Sequence, residues 1–153
     1  MLSLARRCAV TRAVIVAACA AGCGASPTVP DQTITQLRAA PTAATIDGAR
    51  IELQVDVWRD FQPISPPGGR GLRVSARLPA TTATFILERI WVLLGEEVWD
   101  STPIAVPGST SWTAGEGPQW GPGVSVDVVA QIRGPHGTVR LVRAADRLIL
   151  GTF

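Results

Sequence analysis

Between residues 45 and 153 the apolar positions recur with a period of two. Ile51, Leu53, Val55 and Val57 alternate with Glu52, Gln54 and Asp56, which puts apolar side chains on one face of a half-buried strand and polar ones on the other. Leu72, Val74, Ala76 and Leu78 repeat the pattern against Arg73, Ser75 and Arg77, and Val124, Val126, Val128, Ala130 and Ile132 repeat it again. Phe85 to Leu94 is a longer apolar run and predicts a central strand covered on both faces. Gly95-Glu96 predicts a turn into a strand around Val98 to Val106. Gly134-Pro135-His136-Gly137 predicts a hairpin loop leading into Val139 to Val142, and Leu148 to Thr152 reads as a last strand.

Pro63, Pro66, Pro67, Pro79, Pro103, Pro107, Pro118, Pro122 and Pro135 fall in loops or at strand ends, where a missing N–H costs no ladder bond. Helical periodicity is confined to a weak pattern at Arg143 to Leu148. About seven or eight short strands separated by turn signals predict an all-β sandwich. In architecture the chain resembles a single immunoglobulin-like domain, without that fold's cysteine pair.

The N-terminal segment has a different pattern. Arg6, Arg7 and Arg12 flank or precede an apolar run from Ala13, which ends in Ala20-Ala21-Gly22-Cys23. That run is about half of the roughly 20 residues a spanning helix needs, so it reads as a removable export signal rather than an anchor. It resembles the signal peptide of bacterial lipoproteins, whose lipobox ends in a cysteine that becomes the lipidated first residue. Val16-Ala17-Ala18-Cys19 is a second such box, but cleavage there leaves an apolar stretch shorter than the usual run of about 7 to 15 residues. The resemblance therefore implies a signal peptide over 1–22 and acyl chains on Cys23. A tether rich in Ala, Thr, Pro and Ser follows over 23–44, with room for a short ordered stretch near Ile34 and Leu37, and then a domain over 45–153. It also implies a place in the cell envelope outside the cytoplasm. Gly24 stands where many inner-membrane lipoproteins carry aspartate, which implies the outer membrane in a host that has one.

This reading changes the electrostatics. The full chain carries 14 Arg and 12 acids, net +2. Three of those arginines precede Cys23 and no acid does, which leaves 11 against 12, net −1. The basic balance belongs to the export segment, and nucleic-acid binding is not expected from it. Cys8, Cys19 and Cys23 all precede the tether, so no disulfide staples the domain and an apolar core must hold it.

Candidate chemistry is sparse. His136 is the single histidine and lacks a second imidazole or a thiol to share a metal or a triad. It reads as an exposed turn residue, and no metal or cofactor is expected. Glu96 and Glu97 are adjacent and point to opposite faces if extended. Asp56 and Asp60 can share a side, yet paired solvated acids are more common than a glycosidase pair, so no enzyme is expected. Gly68-Gly69-Arg70-Gly71 lacks the helix a phosphate cradle needs and is followed by a strand at Leu72. Arg73 and Arg77 with Ser75 between them form a small basic stripe. It reads either as a solvated sheet face or as a contact for lipid headgroups or an acidic partner.

The tryptophans carry the strongest binding signal. Trp58 and Phe61 sit where the first clear strand ends, and Trp112 and Trp120 bracket a glycine-rich loop containing Glu116 and Gln119. Flat apolar faces beside hydrogen-bonding groups suit a glycan- or peptide-binding edge. In the alternative, Trp120 folds back as a lid over the sandwich end. Phe153 resembles the terminal aromatic of outer-membrane barrels, but the strands are shorter than the roughly ten residues such barrels use. Two functions are carried forward. The first is a non-catalytic, membrane-anchored envelope protein that docks on another protein. The second is a cell-wall glycan module built on Trp112 and Trp120, with Trp58, Glu116 and Gln119 as further contacts.

Overall fold

A computed structural model describes residues 32–79 and 84–153; Cys23, Cys19 and the export segment lie outside the described residues. In chain order the elements are α1 (Ile34–Arg38), β1 (Ala43–Ile46), β2 (Ala49–Glu52), β3 (Gln54–Asp60), β4 (Arg73–Arg77) and β5 (Ile86–Leu94). They continue with β6 (Glu97–Ser101), β7 (Ile104–Ala105), β8 (Ser111–Ala114), β9 (Ser125–Arg133) and β10 (Val139–Thr152).

Strands β3 to β10 form one curled sheet in the order β6-β5-β9-β10-β3-β4-β8-β7. Its halves meet along the β10–β3 seam, where the strands run parallel with Ile149 opposite Val57 and Thr152 opposite Asp60. The other pairs are antiparallel. One half is β3-β4-β8-β7 and the other β10-β9-β5-β6, the two layers of an all-β sandwich. The alternating residues explain why the halves close on each other. Val55 and Val57, Val74 and Ala76, Ile90 and Val92, and Val126 to Ile132 at every second position share one buried cluster. Removing this apolar area from water drives the closure.

The long apolar run becomes β5, which is buried on both faces as its composition predicts. Its outer side, with Trp91 and Leu93, packs beside Val129 under Leu37 and Ala40. The tether expected through residue 44 therefore gives way to folded chain at α1. Thr33 and Gln36 cap that helix reciprocally, and Leu37 lies within the expected short ordered stretch. Arg38 holds it to the β5–β6 turn through the Gly95 carbonyl and the Glu96 carboxylate.

The first hairpin closes one end of the sandwich. Asp47 and Gly48 adopt φ of 48° and 84°, the left-handed pair of a tight two-residue turn, and β1 and β2 deliver Ile46 and Ile51 to the core at 0% exposure. The Asp47 carboxylate accepts hydrogen bonds from the His136 backbone N–H at 2.9 Å and the Thr138 hydroxyl at 2.6 Å. These bonds hold its carboxyl below the usual carboxylate range, against a smaller opposing effect of desolvation.

Two expectations change. The weak helical pattern at Arg143 to Leu148 belongs to a single strand, β10, with a bulge between Ala144 and Arg147. Asp146 sits there at φ 53°, and Asp127 accepts from both its N–H and Arg143. The extra residues rotate the strand so that its last stretch reaches β3. The expected strand from Val98 to Val106 is divided into β6 and β7, because Pro103 cannot donate to a ladder and the chain crosses there from one half to the other.

Candidate functional site

At the end of the sandwich opposite the first hairpin, the β3–β4 loop (residues 61–72) packs against the β8–β9 loop (residues 115–124). Arg59 joins them. Its side chain faces inward from β3 at 3% exposure. It donates to the carbonyls of Arg70 at 2.9 Å, Gln119 at 3.1 Å, Gly121 at 2.9 Å and Gly68 at 2.5 Å. Its guanidinium also lies 4.8 Å from the Phe61 ring centroid. Carbonyl dipoles rather than a carboxylate balance this buried cation, and the planar fork suits several acceptors at once. The loops also exchange backbone bonds, Leu72 N–H to the Pro118 carbonyl and Gly117 N–H to the Leu72 carbonyl. Glycine is required for this approach: a Cβ on Gly71 would collide with the Gly117 carbonyl, and one on Gly117 would lie 2.9 Å from the Trp99 ring.

Between the pinned loops lies an open cavity of about 340 Å³ whose polar side chains are the exposed Arg70, Arg73, Glu116 and Gln119. A second cavity of about 320 Å³ adjoins it and shares Arg73, Gly115 and Glu116. Glu116 is held at φ 62°, a left-handed conformation that a non-glycine residue adopts at some cost. Arg70 reaches Asp60 at 3.8 Å. Arg77 pairs with Asp56 at 2.7 Å, so the basic stripe on β4 is divided between one neutralised arginine and one that faces the cavity.

The tryptophans separate. Trp112 points inward from β8 at 9% exposure and belongs to the main core. This corrects the expectation of a stacking surface there, since its ring faces are covered by apolar neighbours. Trp120 packs half-buried against the same core and donates its indole N–H to Glu97 at 2.9 Å, the lid arrangement. The two rings do not form a platform. Trp58 faces outward on β3, opposite Leu150 of β10 and Arg73 of β4. Of the residues singled out from sequence, Arg73 of the basic stripe meets Glu116 and Gln119 of the tryptophan-flanked loop in the cavity. Arg70, noted in sequence only within a glycine-rich run between strands, joins them there. The signal was present in the Gly-rich run around Arg70, which marks a close backbone approach.

The carboxylates are dispersed. Asp56 and Asp60 each face their own arginine, and Glu96 and Glu97 serve Arg38 and Trp120 respectively. Glu88 sits at a bulge of β5, where Arg133 at 2.6 Å and Gln131 at 2.8 Å donate to it. Its burial favours the neutral acid, but these donors outweigh it and keep the carboxyl below its ordinary range. His136 is exposed at its loop tip, as expected. Among the described residues no group of three His, Cys, Asp or Glu side chains is placed to hold a metal ion.

Comparison with known proteins returns no matching family model, no similar curated protein and no similar solved structure.

Proposed function

We propose that this chain is a non-catalytic cell-envelope lipoprotein that is anchored through Cys23 and docks its sandwich on another envelope protein. The anchor rests on the lipobox. Two or three acyl chains give stable attachment, since each buried methylene contributes roughly 0.8 kcal/mol. The observation that carries the docking is the apolar strip along the β3–β10 seam. Leu148 and Leu150 are 51% and 53% exposed, and Trp58 lies across the ladder from Leu150. Side chains of this kind gathered on one seam favour a partner with a complementary apolar surface.

The test is in-cell crosslinking and pulldown from the native host, comparing wild type, Cys23→Ala and Leu150→Glu. A stoichiometric protein captured by wild type and lost with either variant supports the proposal, provided Leu150→Glu melts as wild type does. Capture that is indifferent to Leu150→Glu, or the absence of any protein partner, refutes it. Retention of wall fragments in place of a protein would favour the glycan reading, which the burial of Trp112 weakens.

A further inference from the structure

The described arginines have a common habit that one of them breaks. Arg38, Arg50, Arg70, Arg77, Arg133 and Arg143 face carboxylates. Arg59, Arg140 and Arg147 donate to carbonyls, and Arg89 pairs with Asp100. Among the described residues Arg73 alone has neither an ion pair nor a side-chain hydrogen bond, and it lines the cavity between the two pinned loops. Glu116 lines the same cavity and forms no ion pair with it. Two exposed, opposite charges thus border one open cleft without forming an ion pair.

We propose that this cavity binds a small zwitterion, with an oxyanion on Arg73 and Arg70 and an ammonium on Glu116. Three features support it. The volume of about 340 Å³ lies at the low end of small-molecule sites. The walls at Gly69, Gly71, Gly115 and Gly117 carry no side chains, so a ligand reaches the backbone directly. Arg73 is held on strand β4, and the loops that carry Arg70 and Glu116 are fixed in advance by Arg59 and by the bonds between Leu72, Gly117 and Pro118, which lowers the ordering cost of binding. Arginine matches a phosphate or carboxylate through paired N–H donors. The carboxylate at the rim disfavours a plain polyanion and rewards a ligand with its own positive end.

Two sources carry this chemistry, a lipid headgroup and a free metabolite, and phosphoethanolamine represents both. The experiment uses the full-length Cys23→Ala chain in nonionic micelles, followed by amide NMR. Soluble phosphoethanolamine, inorganic phosphate and ethanolamine are titrated separately, and a parallel sample has micelles doped with lysophosphatidylethanolamine. Saturable shifts at residues 69–73 and 115–119 are expected with phosphoethanolamine, with weaker binding of either half alone. Arg73→Gln should lower affinity about tenfold. Glu116→Gln should remove the preference over phosphate while leaving phosphate binding intact. Arg147→Gln should change nothing. Stronger shifts from the doped micelles assign the headgroup, and shifts confined to the soluble compound assign a free ligand. No saturable shift up to about 10 mM, a response unaltered by Arg73→Gln, or phosphate binding as well as phosphoethanolamine would overturn the proposal.

Discussion

Replacing Arg59 with methionine keeps an unbranched stem of similar reach and removes the guanidinium. Four carbonyls then lose their donor, those of Gly68 and Arg70 in one loop and of Gln119 and Gly121 in the other. These bonds are part-buried, and a fully buried carbonyl left without a partner costs about 1–3 kcal/mol. Here the loops can part and admit water, which pulls each cost toward the lower bound and gives a total of about 4 kcal/mol. For a domain of this size that corresponds to a fall in Tm of roughly 10–20 °C. Arg59→Lys should recover only part of this, because a compact ammonium cannot span four acceptors in a plane. Urea denaturation followed by circular dichroism measures the total. Hydrogen exchange at the amides of Leu72 and Gly117 reports whether the loops are where it is lost. If Arg59→Met costs under about 1 kcal/mol and exchange at those amides is unchanged, the guanidinium is not what pins the loops.

Other substitutions test the remaining structure. Trp112→Ala should destabilise by about 3–5 kcal/mol in urea melts, because it empties a core position; a near-neutral result would return Trp112 to the surface. Gly71→Ala should cost about 2 kcal/mol or more, since the new methyl meets backbone rather than a movable side chain, and unchanged stability would contradict the close approach of the two loops. Asp47, with its carboxyl held below the ordinary range by Thr138 and His136, gives a pH signature. A depressed folded value means the stabilisation is complete above the unfolded aspartate value and is lost as pH falls through the folded one. Asp47→Asn should therefore flatten the acid limb of a Tm-versus-pH profile, and an identical limb in both proteins would remove Asp47 as its source. Leu37→Asp should undock α1 and speed tryptic cleavage after Arg38, whereas an unchanged cleavage rate would mean that Leu37 does not hold the helix to β5 and β9.

Much of the fold was legible along the chain, because a strand with one buried face must alternate and a doubly covered one must not. β3, β4 and β9 lie within the alternating stretches, and β5 is the continuous apolar run. The first hairpin has a local signal in Asp47-Gly48, a strong two-residue turn pair, but its first strand begins at Ala43, within the stretch whose composition predicts a tether. Helix α1 was harder to see. A five-residue helix has almost no periodicity of its own, and it exists because Trp91, Leu93 and Val129 offer it an apolar floor.

The sequence by itself determined the all-β class, the reliance on an apolar core without disulfides, and the lipobox that motivates the proposed anchor. These depend on residue type and on spacing over a few positions. Only the tertiary structure decided which aromatic rings are covered and which charges share a space. Trp112 and Trp120 look alike as the ends of one loop, yet strand register sends the first into the core and a bond to Glu97 fixes the second as a lid. Arg73 and Arg77 look alike on one strand face, yet Asp56 neutralises one and the neighbouring loop leaves the other facing a cavity. Burial and pairing are properties of neighbours distant in the chain, so no local pattern can encode them. The parallel β3–β10 seam, which closes the sandwich and exposes Leu148 and Leu150, depends likewise on a bulge that only the partner strands reveal.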